Sequence, residues 1–170
     1  MSEKQRKYAI TWDVIGAASE EGIRSKLGQE TTVEVYRLLQ FSIRDILEQR
    51  YGTEEADAVF REAGILAGKA FYDKYLAGAA DLASLAKTIQ EKFREFGMGI
   101  VRFEIADPEK MVFQLTVDED LDCSGLPDSA DHICVYDEGL IKGILDSFTG
   151  KSFSVRETDC WCSGERTCRF

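Results

Sequence analysis

The spacing of apolar residues changes once along the chain, near residue 98. Before this point apolar residues recur every three to four positions, as in helices with one buried face. Capping residues and glycines predict three helices, over residues 31–52, 53–76 and 81–97. The apolar stripes are Val35, Leu39, Ile43, Ile46 and Leu47 in the first helix, Val59, Phe60, Ala63, Ala67 and Phe71 in the second, and Leu82, Leu85, Ala86, Ile89 and Phe93 in the third.

After residue 98 the period becomes two, which indicates strands. The alternating runs "IVRFEIAD" and "MVFQLTV" flank the turn sequence "DPEK" and predict a β-hairpin with one buried face. The acidic run "DEDLD" is interpreted as a solvated loop, and a helix is predicted over residues 133–148. The last twenty residues predict a second hairpin that turns at Gly164. The pattern therefore predicts an α+β fold, a helical layer packed on an antiparallel sheet.

No boundary between modules is visible in the sequence. The chain has 170 residues, two prolines, no serine- and glycine-rich linker and no repeat. We expect one domain over residues 1–170, with an N-terminal segment (1–30), a helical layer (31–97) and a region holding the sheet, the last helix and the C-terminal hairpin (98–170). A chain of this length buries roughly 70% of its unfolded surface, so no metal is needed simply to make it fold.

Charge and cysteine usage narrow the functional classes. The 31 acidic and 21 basic residues give a net charge of −10, which repels nucleic-acid phosphates, so we expect no direct binding to nucleic acid. The N-terminal apolar stretch contains Asp13 and is too short for a membrane span. Five unevenly spaced cysteines without a secretion signal favour thiolates over disulfides. We therefore expect a cytoplasmic protein that does not act at a membrane.

Three of the five cysteines lie in the final stretch "RETDCWCSGERTCRF". If the last hairpin is centred on Gly164, Cys160 and Cys168 lie directly opposite each other, with Cβ atoms about 5 Å apart. Two thiolates at this separation can share one tetrahedral zinc ion, for which Zn–S bonds are about 2.3 Å.

Three further residues are candidates for the same site. Cys162 lies on the same face of the predicted strand as Cys160, and Cys134 could reach the hairpin from the start of the last helix. Glu157 faces the other side of a regular strand and joins only through a bulge. The spacing supplies two or three thiolates without defining the full ligand set. Buried cysteines that act as small apolar side chains, or redox chemistry at "CWC", remain alternatives.

Residues 134–170, "CVYDEGLIKGILDSFTGKSFSVRETDCWCSGERTCRF", closely resemble the C-terminal half of the 4-vinyl reductase domain family. This family takes its name from a bacteriochlorophyll-biosynthesis protein and includes the sensory domains of phenol- and xylene-responsive transcription activators. The helical sequences "YRLLQFSIRDILEQRYG" and "REAGILAGKAF" are compatible with it. The resemblance implies a fold similar to the ligand-binding fold of nitric-oxide-signalling and Golgi-transport proteins.

The resemblance also implies a ligand set for zinc. In the aromatic-sensing members zinc is held by an upstream cysteine, a glutamate, a cysteine three residues on and another cysteine eight beyond. These roles fall on Cys134, Glu157, Cys160 and Cys168, with Cys162 as the alternative fourth ligand. We expect a structural Zn²⁺ site, because four protein ligands leave no position for an activated water.

Several other residues have two interpretations. Gly64 and Gly68 favour close packing within the chain or, alternatively, a seam between two copies. His132, the only histidine, is interpreted as a surface residue rather than a haem ligand. The aromatic residues that could line a cavity for a flat apolar ligand, or simply fill the core, are Phe60, Phe71, Tyr72, Phe93, Phe96, Phe103 and Phe113.

The motifs favour a binding protein over an enzyme. The sequence has no nucleophile–base–acid set, no phosphate-binding glycine loop and no dinucleotide fingerprint. With the resemblance, this favours a stand-alone sensor or carrier domain for an apolar aromatic or tetrapyrrole-like ligand, which passes its signal to a partner protein. The alternatives are an enzyme or accessory subunit in tetrapyrrole (chlorophyllide) vinyl reduction, and a protein-interaction scaffold. We also expect a homodimer held through the helical layer.

Overall fold

The computed structural model describes residues 8–16, 24–129 and 132–170, so much of the predicted N-terminal segment (residues 1–7 and 17–23) lies outside it. The helices of the described part are α1 (Trp12–Ile15), α2 (Val33–Tyr51), α3 (Thr53–Phe71), α4 (Leu82–Glu95) and α5 (Val135–Thr149). A π-helical turn, Tyr72–Leu76, extends α3, and the strands are β1 (Ile100–Asp107), β2 (Val112–Asp118) and β3 (Cys168–Arg169). No helix among the described residues is long and apolar enough to span a membrane.

Local signals place the ends of the helices close to the positions that the sequence predicts. The Asp81 side chain accepts a hydrogen bond from Ser84 N at 2.8 Å, and Ser84 Oγ accepts one from Asp81 N at 3.1 Å, which forms a capping box at the start of α4. At the end of α5, Gly150 adopts a φ of 68°, which glycine reaches without steric cost. The three long helices before the sheet and the helix after it are therefore confirmed.

The strands of the described residues form one antiparallel sheet in the order β1-β2-β3. β1 pairs with β2, with Val101 opposite Val117 and Phe103 opposite Leu115. The buried side chains of Val101, Leu115 and Val117 face the core, which α4 and α5 complete with Leu85, Ile89, Phe93, Leu140 and Ile144. The predicted α+β fold, helices packed on an antiparallel sheet, is confirmed.

The predicted second hairpin is only partly formed. Its register is as expected, because Asp159 forms a bridge with Arg169, a pair centred on Gly164. However, the strand before the turn is absent from the described residues, since the backbone forms a 3₁₀ turn at Trp161–Ser163. The short strand β3 pairs mainly with β2, where Val117 lies opposite Cys168. The prediction of a regular hairpin was wrong because β3 forms its ladder with β2, while the segment before Gly164 forms a 3₁₀ turn instead of a strand.

Helices α3 and α5 pack backbone against backbone through glycines. A Cβ atom at Gly64 would come within 3.0 Å of Gly139 Cα, and one at Gly68 within 3.0 Å of Gly143 Cα. Each of these Cβ atoms would also overlap a carbonyl oxygen of α5. The interpretation as close packing within the chain is therefore confirmed, and the glycine strip is not available as a seam between two copies.

Helix α2 turns its polar face towards the rest of the protein. Arg37 donates to Leu121 O at 2.9 Å and to Ser124 O at 2.8 Å, while Tyr36 and Gln40 both donate to Asp122. The opposite face is apolar and exposed: Leu38 is 73% and Leu39 64% exposed. The predicted α2 stripe thus faces outwards, because α2 is held by hydrogen bonds to the loop after β2 rather than by apolar packing.

Candidate metal centre and apolar pocket

Four buried cysteines meet where the sheet, α5 and the C-terminal segment join. The Sγ atoms of Cys123, Cys134, Cys160 and Cys168 all lie within 4.8 Å of one another. The Sγ–Sγ distances are 3.9 Å for Cys134–Cys160, 3.7 Å for Cys134–Cys168 and 3.1 Å for Cys123–Cys168. Four sulfur atoms around zinc, each about 2.3 Å from the metal, would be about 3.8 Å apart. The geometry and the all-thiol donor set therefore fit a metal ion.

Each cysteine comes from a different part of the fold. Cys123 lies in the loop after β2, where Asp120 Oδ1 accepts hydrogen bonds from the backbone nitrogens of Asp122 (2.8 Å) and Cys123 (3.3 Å). Cys134 immediately precedes α5, and Cys168 belongs to β3. Cys160 precedes the 3₁₀ turn, and Ser163 Oγ bonds to both its backbone nitrogen and its carbonyl oxygen. A metal ion held here would tie a loop, a helix and two segments of the C-terminal region together.

The loop "DEDLD" is not solvated as the sequence suggested. Asp120 and Asp122 are each only 3% exposed. Asp122 accepts hydrogen bonds from Tyr36 Oη at 2.7 Å and from Gln40 Nε2 at 2.8 Å, and Asp120 caps the turn that carries Cys123. The prediction was wrong because these carboxylates find protein donors, so the acidic loop organises the cysteine group instead of facing solvent.

The structure brings together three of the ligands predicted from the sequence, Cys134, Cys160 and Cys168, and adds Cys123 as the fourth sulfur. Glu157 lies beside the group: its Oε2 accepts from Cys134 N at 3.4 Å, and its Oε1 has no hydrogen-bond partner among the described residues. Cys162 is buried but its sulfur is outside the group. Reasoning from the sequence assigned no role to Cys123, since a loop cysteine distant along the chain carries no spacing signal.

Burial and shared protons shape the electrostatics of the site. Hydrogen bonds with Cys123, Cys134 and Cys168 lower the pKa of the Cys160 thiol, whereas hydrogen bonds with Cys123, Cys160 and Cys168 raise the pKa of the Cys134 thiol. Burial, followed by repulsion from Cys160, raises the pKa of Glu157 to about 8. The pKa of each thiol in the group thus depends on its sulfur neighbours, and a bound cation would replace the protons that the thiols hold.

His132 lies at the edge of this site. Its Nδ1 is 3.8 Å from Glu157 Oε2, and its side chain is 40% exposed. The four-sulfur group does not include it. The structure therefore places His132 at the surface, as the sequence interpretation had it.

A separate cavity of about 310 Å³ lies between the start of β2, α5 and the extended segment 153–156. The rings of Phe113 and Phe153 form one wall, with centroids 5.5 Å apart in an edge-to-face arrangement. The lining residues are Met111, Val112, Phe113, Leu115, Ile141, Leu145, Phe153, Ser154, Val155, Arg156 and Phe170. A void of about 20 Å³ lined by Phe93 and Phe103 shares Leu115, Ile141 and Leu145 with this cavity.

The predicted aromatic lining residues are divided among several places. Phe113 lines the larger cavity, and Phe93 and Phe103 line the small void. Phe71 lies edge-to-face against Phe96, with centroids 6.1 Å apart, and against Phe93, with centroids 5.9 Å apart, so these rings form an aromatic cluster beside the small void. Phe60 lies under the Arg44 guanidinium at 5.5 Å, and Tyr72 packs at the margin of the core. Phe153 and Phe170, which the sequence did not single out, complete the aromatic wall of the cavity.

Residues 113–170 match the family model of the 4-vinyl reductase domain. An uncharacterised protein of Methanocaldococcus jannaschii is 22% identical over 145 residues, which cover 85% of this chain and 79% of that protein. The phenol-responsive sensory domain of the transcription activator PoxR, solved with phenol, is similar with a TM-score of 0.63 and 17% identity, over 84% of this chain and 76% of that domain. A vinyl-4-reductase family protein from Methanocaldococcus jannaschii is similar with a TM-score of 0.60 and 16% identity, over 97% and 96% of the two chains. The resemblance to the 4-vinyl reductase domain and the fold are both confirmed.

Proposed function

We propose that this chain, whose residues 113–170 match the 4-vinyl reductase domain, is a sensor or carrier domain that binds an apolar aromatic small molecule. The observation that carries the proposal is the cavity of about 310 Å³ between the sheet and α5, lined mainly by apolar side chains. Its volume is at the lower end of the range for ligand sites, roughly 300–1,000 Å³. It suits a single-ring aromatic compound better than a tetrapyrrole. The similar PoxR sensory domain, solved with phenol, supports the same class of ligand.

We also propose that the four-cysteine group holds a structural Zn²⁺. Its sulfur donors are Cys123, Cys134, Cys160 and Cys168, and thiolates are preferred ligands of zinc. Glu157, implied as a ligand by the family resemblance, and Cys162 are the alternative donors. With four protein ligands the ion would cross-link the C-terminal region instead of catalysing a reaction. Cys134 immediately precedes α5, so the ion would also fix the helix that forms one wall of the cavity.

Phenol and small alkylphenols should raise the melting temperature of the wild-type protein. Ligand at about 100 times its Kd adds about 2.7 kcal/mol of stability, which is a rise of about 5–10 °C for a chain of this length. Val155→Trp, which fills the cavity, should abolish this rise. Val59→Trp, on the exposed surface of α3, should keep it. Differential scanning fluorimetry measures both. The proposal is wrong if no compound of such a panel shifts the wild-type melting temperature or perturbs its NMR spectrum.

We further propose that two copies pair through the exposed apolar face of α2. Leu38 and Leu39 are the most exposed large side chains of that face, and pairing would remove them from water. Replacing both with glutamate should convert a dimer to a monomer without changing the far-ultraviolet spectrum. Gln90→Glu, on the exposed face of α4, serves as the control. Light scattering measures the molar mass in solution at about 50 μM protein, a concentration at which even weak dimers are populated. A wild-type monomer would refute the pairing.

A further inference from the structure

The otherwise apolar cavity has one cationic side chain at its mouth. Nine of the lining residues are apolar; the other two are Ser154 and Arg156. Arg156 is exposed, and its guanidinium forms no ion pair with any described residue. Two other arginines of the C-terminal region do form ion pairs: Arg166 pairs with Asp128, and Arg169 pairs with Asp159. An arginine left unpaired beside an apolar cavity can offer its planar donors to a bound molecule.

The backbone on either side holds the Arg156 segment in place. At one end Phe153 N donates to Asp146 Oδ1 at 2.8 Å, and Lys142 Nζ donates to Phe153 O at 2.7 Å. At the other end Glu157 N donates to Glu138 Oε1 at 2.8 Å. Because both ends are anchored to α5, the guanidinium projects from a fixed stretch of chain, which lowers the entropic cost of binding.

Two acids that adjoin this segment, Glu138 and Glu157, are occupied elsewhere. Glu138 is buried, and its Oε2 accepts from Arg61 Nε at 3.0 Å and from Arg61 Nη2 at 2.7 Å. The Glu157 side chain points into the cysteine group, where its Oε2 meets Cys134 N. Neither carboxylate therefore neutralises Arg156 from within the protein.

We infer that the ligand is a small aromatic carboxylate, whose ring enters the cavity and whose carboxylate pairs with Arg156 at the rim. The inference rests on the proposed function and specifies its ligand class. A carboxylate buried without a partner is costly, whereas one held at the rim keeps part of its hydration and gains a charge-assisted pair. The net charge of −10 disfavours anions in general, so a preference for an acid over its neutral analogue requires a local cation.

The test compares 3-phenylpropanoate with its neutral amide, 3-phenylpropanamide, by titration calorimetry at about pH 7, where carboxylic acids are ionised. The wild-type protein should bind the acid at least about tenfold more tightly than the amide, as expected for a hydrogen-bonded charge pair. Arg156→Gln should weaken binding of the acid by about the same factor and leave binding of the amide unchanged. Arg50→Gln on α2, which makes the same charge change away from the cavity, should behave as wild type.

Two results would overturn the inference and leave the proposed function intact. One is equal affinity of the wild-type protein for acid and amide; the other is an Arg156→Gln variant that binds the acid as wild type does. If the wild-type protein binds phenols but not the acid, the inference is likewise overturned and the proposed function stands. If neither compound nor any phenol binds the wild-type protein, the proposed function fails and the inference fails with it.

Discussion

Cys123→Ser and Cys168→Ser will each reduce bound zinc from about one equivalent to less than about half, because a tetrahedral site that loses one of four thiolates binds metal far more weakly. The melting temperature should fall as well, since the proposed ion would connect Cys134 at the start of α5 to β3 and to the loop after β2. Thiolate ligands bind protons below their pKa, so the metal-dependent stability is present at neutral pH and is lost as the pH falls. Elemental analysis and calorimetry measure the two effects.

Cys162→Ser and Glu157→Gln are the matched controls for this prediction. The sulfur of Cys162 is buried but lies outside the four-sulfur group, so its variant should keep the metal. Glu157→Gln should keep it too if Cys123 is the fourth ligand. Loss of metal from Glu157→Gln but not from Cys123→Ser would instead support the ligand set that the family resemblance implies. Wild-type protein with less than about half an equivalent of zinc, or a Cys168→Ser variant with its full content, would refute the zinc site.

Gly68→Ala should destabilise the protein by at least about 3 kcal/mol, the upper end of the usual cost of inserting one methyl group into a packed interior. The new Cβ would overlap Leu140 O and come within 3.0 Å of Gly143 Cα, so the backbones of α3 and α5 would have to separate. The gain in helix propensity from alanine, about 1 kcal/mol, offsets only part of this cost. Urea unfolding followed by circular dichroism measures the free energy of unfolding.

Gly78→Ala is the control for the glycine prediction. A Cβ atom at Gly78 meets no described atom within 4 Å, so this variant should change the free energy of unfolding by less than about 1 kcal/mol. Equal effects at the two positions would mean that α3 and α5 do not pack through their glycines. A Gly68→Ala variant that yields no soluble protein is the extreme case of the expected result, provided that Gly78→Ala expresses normally.

Side-chain periodicity and capping residues were sufficient to predict the four long helices and the first hairpin of this fold. The helical period and the cap at Asp81 determine α4, and the period of two with its turn determines the pairing of β1 with β2. The symmetry about Gly164 predicted the register that the Asp159–Arg169 bridge shows. These features depend on residues close together in the sequence, whose relative positions the backbone geometry sets.

Contacts between distant residues were decided only by the tertiary structure. Cys123 joins Cys168, from which it is separated by 45 positions, because packing brings the loop after β2 against β3. The outward apolar face of α2 and the burial of Asp120 and Asp122 follow from hydrogen bonds between α2 and that same loop, and within the loop itself. The cavity likewise needs β2, α5 and the segment 153–156 together. Periodicity shows which residues share a face of an element. Which surface covers that face depends on how the elements pack together, and no local sequence pattern encodes that packing.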